Sequence, residues 1–333
     1  ADPITIDANE LHVTASAGIS MFPADGDDVE TIIRNADMAM YRAKAAGRNT
    51  YQFFLPAMNE RALQRMDMEH RLRFAMERDQ VRVFYQPKVD LRTGRITGME
   101  ALARWRQPGG TFVEPAQFIA LAEETGLIVP LGERVLELAC AQVREWRANG
   151  FPGIHVAVNL SPRQLQQRPS PRGARADIVD SIVATLERTG VEPSALKLEV
   201  TESAVLKDTD AGMSVLARLR DLGIGIAIDD FGTGYSSLNY LKVLPAHELK
   251  IDRSFIRMLN YDGPDAAIVQ AIITMAHNLQ LSVVAEGVET MEQFRRLRTL
   301  HCDEMQGYLV SPAVSGDDAT KLLESYAKAR PAA

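Results

Sequence analysis

The chain has 333 residues, 46% hydrophobic and 24% charged, a globular balance that excludes disordered and fibrous architectures and allows one large domain with a smaller piece beside it. Its apolar runs, such as residues 224–228 and 281–285, fall far short of the roughly 20 residues needed to cross a bilayer, so no membrane contact is expected of this stretch. A net charge of -7 offers polymeric nucleic acid no overall attraction, and two distant cysteines, Cys140 and Cys302, argue against a disulfide framework or structural zinc and for a reducing cytoplasm.

The first residues, Ala1-Asp2-Pro3, lack an initiator methionine and any signal pattern and read as a cloning remnant. Residues 11–19 alternate as a strand does, then come a turn over 23–28, a helix over 29–46 and a strand over 50–54. So few elements cannot enclose a core, and residues 1–55 are expected to be the tail of a larger domain, a small α+β fragment. A charged, Met-rich helix over 57–78, within a connecting stretch 56–80, should join it to the larger C-terminal region.

From residue 81 the pattern becomes short apolar strands separated by helices, which predicts a β/α fold. The strands are expected at 81–89, 96–104, 155–159, 196–201, 225–229, 248–251, 282–286 and 304–308. The helices between them are expected at 115–124, 130–148, 176–189, 210–222, 236–242, 264–279 and 291–299. Residues 81–330 number about 250, the size of an eight-stranded (β/α)8 TIM barrel. The first two strands are joined only by Arg92-Thr93-Gly94-Arg95, too short for a crossover helix, so that pair should be antiparallel and the barrel modified at its start.

Polar residues fall at or near the C-terminal ends of these strands: Glu100, Asn159, Glu199, Asp229, Asp230, Lys250, Glu286 and Gln306. In a barrel those ends converge on the mouth where active sites sit. Five converging carboxylates would repel one another and resist desolvation unless cations lay between them. The donors are oxygens, and none of the six histidines occupies a matching strand end, which disfavours zinc or iron and favours two divalent cations, Mg2+ or Mn2+, bridged by one aspartate. Consecutive strand residues alternate faces, so Asp229 and Asp230 can share a site only if the chain is already turning there. Lys250 would be either a positive charge near an attacking water or phosphate, or a lysine salt-bridged inside a carboxylate ring.

Ordered motifs extend this pattern: Tyr85-Gln86-Pro87-Lys88, Glu100-Ala101-Leu102-Ala103-Arg104-Trp105, Asn159-Leu160-Ser161-Pro162, Glu199-Val200-Thr201-Glu202-Ser203, Asp229-Asp230-Phe231-Gly232-Thr233-Gly234, Leu249-Lys250-Ile251-Asp252, Ala285-Glu286-Gly287-Val288-Glu289 and Gln306-Gly307-Tyr308. With them, residues 68–326 resemble the EAL-domain cyclic di-GMP phosphodiesterases. The resemblance implies hydrolysis of cyclic di-GMP to linear pGpG with Mg2+ or Mn2+. Glu100, Asn159, Glu199, Asp229, Asp230 and Glu286 are then metal-site residues. Lys250 assists the water, Glu286 takes part in proton transfer, and Gln306 lies near the reacting groups. Gln86, Arg104 and Asp252 fall on the substrate side, although Arg104 could instead be a surface arginine stacked on Trp105. Glu202 would anchor the loop after Asp229, which in relatives lies near a dimer interface and implies a homodimer through the barrel. The alternative is a catalytically silent cyclic di-GMP receptor, which usually lacks one or more of the ligands that this sequence retains.

The segment from Val13 to Asn49, with Ala36-Asp37-Met38-Ala39-Met40-Tyr41-Arg42-Ala43-Lys44, resembles the last third of a GGDEF diguanylate cyclase domain. That family's signature loop is absent, so no cyclase activity is expected of it here. Three departures stand in the larger region. Ser311 runs directly into Pro312 where a basic residue is usual, His247 replaces a common Asp, and residues 166–176 form a longer loop carrying Arg168, Arg172 and Arg175.

Overall fold

The computed structural model describes residues 4–6, 9–11, 14–166, 177–206, 209–232, 241–259 and 264–329. It divides into two compact units, residues 1–72 and 73–333, and the helix Pro56–Glu77 runs across the division. The first unit holds an antiparallel pair, β1 (Ile4–Ile6) and β2 (Asn9–Leu11), and a parallel pair, β3 (Ala17–Ile19) and β4 (Tyr51–Phe53). The helix Val29–Ala45 joins β3 to β4 and is capped by Asp28, whose side chain accepts from the Thr31 amide. The single strand expected over 11–19 is therefore split between β2 and β3.

In the second unit the strands are β5 (Val81–Asp90), β6 (Ile96–Arg106), β7 (Phe112–Val113), β8 (His155–Asn159), β9 (Leu196–Thr201), β10 (Gly225–Phe231), β11 (Glu248–Ile251), β12 (Ser282–Ala285) and β13 (Glu304–Gln306). Their order is β5-β13-β12-β11-β10-β9-β8-β6-β7, and β5 also pairs with β6, so eight strands close a ring and two-residue β7 hangs on its edge. β6 and β8 through β13 run parallel, whereas β5 is antiparallel to both neighbours, β6 and β13. The modified TIM barrel is thus the observed fold.

The helices of the ring match their expected spans to within two residues where described, and two of them carry side-chain caps at their N-termini. Asp177 caps Ile178–Thr189, which ends on Gly190 at φ 67, and Thr290 with Gln293 forms a capping box on Met291–Thr299. Sequence periodicity passes over the short helices Pro162–Leu165, Glu202–Leu206 and Arg253–Arg257 and the closing helix Gly316–Ala329. Most of the helix expected over 236–242, and the arginines of the 166–176 loop, lie outside the described residues.

The strands obey period two, but with the usual polarity reversed. Val156 and Val158, Leu196, Leu198 and Val200, Ile226 and Ile228, Leu249 and Ile251 are buried and face the helices, while the alternate residues facing the ring's interior are mostly polar. Barrel interiors are ordinarily filled by branched apolar side chains; this one holds Lys88 and Lys250 at 0% exposure and Glu199 and Glu248 at 1%. Gly98 makes room for this interior. A Cβ there would meet the His155 ring 2.2 Å away, across the β6–β8 pairing of these two residues. Outside the ring, Tyr85 meets Trp146 edge-on at 4.9 Å, and the Trp146 indole N–H donates to Thr320 on the closing helix.

Candidate active site

Lys250, in the middle of β11, is the centre of the mouth. Its Nζ lies 2.6 Å from Glu199 Oε2, 2.7 Å from Glu286 Oε1, 3.1 Å from Asp229 Oδ1 and 3.7 Å from Glu100 Oε2. Four carboxylates from four different strand segments therefore meet one buried ammonium. β6 brings Glu100, β9 Glu199 and β10 Asp229, and Glu286 comes directly after β12.

Amides complete the ring. Asn159 Nδ2 donates to Glu100 Oε1 at 2.8 Å, and Gln306 Nε2 donates to Glu100 Oε2 at 2.6 Å and to Gln86 Oε1 at 3.0 Å. Gln86 Nε2 in turn donates to the Ser311 carbonyl. Oε1 of Gln306 is buried with no hydrogen-bond partner among the described residues.

Asp229 and Asp230 reach one site through a backbone device. Asp230 takes φ 54, in the left-handed region, and the pairing of β10 with β11 shifts register between Ile228 and Phe231. The shift undoes the face alternation of the strand, and oxygens of Asp229, Asp230 and Glu286 lie within 4.8 Å of one another. The Asp230 amide donates to Asp229 Oδ1. Just beyond, the Gly232 amide donates to Glu202 Oε2 at 3.4 Å, which ties the start of the loop to the end of β9; residues 233–240 lie outside the described ones.

Burial and charge pull the carboxylates apart. Burial pushes Glu286 up to about 8, with Lys250 opposing and Asp229 and Glu100 adding to the rise. Burial likewise raises Glu100, Asp229 and Asp230, helped by Glu199 in the first two and by Asp252 in the third. Glu199 goes the other way: burial raises it, but the ammoniums of Lys250 and Lys88 outweigh that and hold it below the usual carboxylate range. Lys250 stays charged because its carboxylates overcome the cost of its burial. The donor set is all oxygen, and a divalent cation would offset the burial and mutual repulsion that raise most of these carboxylates, so the residues fit Mg2+ or Mn2+.

A cavity of about 260 Å³ opens over this cluster, lined by Gln86, Glu100, Leu102, Asp229, Arg253, Glu286, Gly287, Glu289, Gln306, Gly307 and Tyr308. Arg253, Glu289 and Tyr308 carry no role in the sequence reading, although Glu289 and Tyr308 stand inside its motifs; Tyr308 is 71% exposed. Arg104 lies over the Phe84 ring at 5.7 Å, not on Trp105, and donates to the Ala103 carbonyl. Asp252 caps the helix Arg253–Arg257 by accepting from the Ser254 amide. His247 Nδ1 accepts from the Ile226 amide, so this departure has a backbone role. Sequence reasoning missed a second set of interior charges, Lys88, Lys197, Glu248 and Glu304. Each stands two residues from a mouth residue on its strand, and that spacing was the available signal.

Comparison with known proteins agrees with this architecture. Residues 69–313 match the family model described as EAL domain, and residues 1–50 match that of the diguanylate cyclase GGDEF domain. The bifunctional diguanylate cyclase/cyclic di-GMP phosphodiesterase MucR of Pseudomonas aeruginosa is 48% identical over 310 residues, covering 93% of this chain and 44% of that protein. The cyclic di-GMP phosphodiesterase NbdA of the same organism is 44% identical over 310 residues, covering 93% of this chain and 39% of that protein. The chain thus spans less than half the length of either relative. Among solved structures, the PaMucR phosphodiesterase in complex with c-di-GMP superposes with a TM-score of 0.70 at 48% identity, covering 76% of this chain and 99% of that one. The EAL enzyme Bd1971 with cAMP and cyclic-di-GMP bound gives a TM-score of 0.74 at 31% identity, covering 90% of this chain and 77% of that one.

Proposed function

Because this chain belongs to the EAL domain family, we propose that it hydrolyses one phosphodiester bond of cyclic di-GMP, giving linear pGpG and lowering the level of that messenger. The observation that carries the reading is the set of carboxylates from separate strands gathered on Lys250, with Asp229, Asp230 and Glu286 close enough to share an ion. Two divalent cations, Mg2+ or Mn2+, would be held by Glu100, Asn159, Glu199, Asp229, Asp230 and Glu286. Such cations supply positive charge against the phosphates and acidify an attacking water.

The chain's own residues divide the remaining work. Lys250 donates a hydrogen bond to the attacking water or to a phosphate oxygen, having the only ammonium among the described residues at that cluster's centre. Glu286, whose Oε1 lies 2.7 Å from Lys250 Nζ, takes part in proton transfer to and from the reacting groups. Gln306 holds Glu100 with its amide N–H, close to the reacting groups. Gln86, Arg104 and Asp252 act on the substrate side, and the exposed Tyr308 ring at the cavity rim offers a stacking face to a guanine base. Glu202 anchors the loop that begins at Gly232.

The same reading assigns residues 1–55 to a GGDEF-type remnant, 56–80 to a connecting helix and 81–330 to the catalytic barrel. It includes a cytoplasmic setting, where this messenger acts, and a homodimer through the barrel, to be checked by sedimentation across a dilution series. Among the described residues no helix is long and apolar enough to cross a membrane. A silent receptor is disfavoured because every expected ligand position is filled. The deciding experiment is incubation of the purified chain with cyclic di-GMP and Mn2+, with Glu100→Ala as control. Formation of pGpG by the parent and not by the variant is expected; no pGpG from the parent would overturn the proposal.

A further inference from the structure

Beneath the mouth lies a second level of buried charge that has no part in the proposed hydrolysis. On β5, β9 and β11 the interior residue two positions from Gln86, Glu199 and Lys250 is, respectively, Lys88, Lys197 and Glu248. Lys88 Nζ donates to Glu199 Oε1 at 2.7 Å and to Glu248 Oε1 at 2.8 Å, while the other oxygen of Glu248 pairs with Lys197. The second oxygen of Glu199 pairs with Lys250 at 2.6 Å. Charge therefore alternates from the floor of the barrel to its mouth, in the order Lys197, Glu248, Lys88, Glu199, Lys250.

We infer that Lys88 is a positioning residue for the cation site: it pins Oε1 of Glu199 so that Oε2 alone faces the mouth. The inference rests on the reading of Glu199 as a cation ligand. Of the four carboxylates around Lys250, Glu199 is the one with an ion pair to a second lysine among the described residues. Without that lysine, a fully buried carboxylate would turn both oxygens onto Lys250, the nearest donor, and present neither to a cation. Glu248 holds Lys88 from the opposite side, so the ammonium cannot move upward with Glu199. The long lysine stem, which is costly to order, is fixed at both partners and shielded from water.

Charge alone argues for the opposite outcome. A buried ammonium under a cation site repels the cation, so deleting it should tighten binding. If Lys88 acts by position, deleting it weakens binding instead, and the sign decides between the two.

The test measures Mn2+ binding by calorimetry on the full chain after chelator treatment, for the parent, for Lys88→Met, and for Lys88→Met with Glu248→Gln, which removes the lysine together with the lower counter-charge. Loss of a group that orients a ligand lowers metal affinity by about 10–100-fold. That loss is expected in both variants, with hydrolytic activity falling at low Mn2+ and returning at high Mn2+, and with the double variant melting near the parent. Mn2+ binding that is unchanged or tighter in either folded variant would overturn the inference. Failure of both variants to fold would also overturn it, by making Lys88 a residue of barrel stability alone. A parent chain that binds no Mn2+ would instead sink the cation-site reading on which the inference stands.

Discussion

Replacing Lys250 with methionine tests the electrostatic account of the mouth most directly. The substitution keeps an unbranched chain of similar length and removes one charge from a position that is 0% exposed. Three carboxylate oxygens within 3.1 Å, and a fourth at 3.7 Å, then face one another without their shared counter-ion. Removing one partner of a buried ion pair costs about 3–5 kcal/mol. Because Glu286, Glu100 and Asp229 already have raised proton affinities, they can take up protons, which places the cost toward the lower end of that range. For a unit of this size each kcal/mol lowers Tm by about 2–4 °C, so at about 3 kcal/mol Lys250→Met should melt roughly 6–12 °C below the parent in the presence of chelator. Calorimetry with and without Mn2+ is the assay. A saturating cation stabilises whatever binds it, by about 2.7 kcal/mol at a hundredfold excess over Kd. In the variant the cation also replaces the missing positive charge, so Mn2+ should raise its Tm by more than it raises the parent's. A variant melting within about 2 °C of the parent in chelator, or equal Mn2+ increments in both proteins, would refute the reasoning.

Gly307→Ala would place a Cβ 2.2–2.3 Å from the Val288 carbonyl oxygen and amide nitrogen, backbone atoms that cannot step aside. Overpacking of this kind costs about 1–3 kcal/mol, so a Tm loss of roughly 2–12 °C is expected by calorimetry, together with a lower kcat as Gln306 shifts. Burial first, then the charges of Lys197 and Lys88, hold the His155 ring down to about 3, with Glu248 and Glu199 opposing; Nε2 is fully buried. A histidine depressed in the folded state leaves the unfolded chain to bind the extra proton, so its contribution is present above about pH 6.5 and is lost as pH falls below it. Urea titrations at pH 7.5 and 5.0 should show the parent losing up to about 2 kcal/mol more than His155→Leu over that interval; parallel losses would contradict the assignment. Asp252→Ala removes the cap of the helix Arg253–Arg257 and should cost about 0.5–2 kcal/mol in urea unfolding. It should also raise KM for cyclic di-GMP if Asp252 acts on the substrate side.

The primary structure by itself determined the order and spacing of the barrel strands, the antiparallel start and the identity of Lys250 and the carboxylates around it. Each of these is local: an alternating run of Val, Ile and Leu, a four-residue connection too short to cross over, and a polar side chain at a strand's C-terminal end. What it left open are relations between residues far apart in the chain. The ring of Lys250 with Glu100, Glu199, Asp229 and Glu286 depends on closure of β5 onto β6 and β13, which no single strand announces. The pairing of Lys88 with Glu199 and Glu248 spans separations of 111 and 160 residues, and as isolated sequence a lysine after Gln86-Pro87 is simply a charged residue. The approach of Asp230 to Asp229 needs the turn that the alternation of strand faces already demanded, but its form, a left-handed backbone at Asp230 and a register shift against β11, is visible only in the fold. Local pattern decides which face a side chain takes; closure of the barrel decides which charges that face must then neutralise.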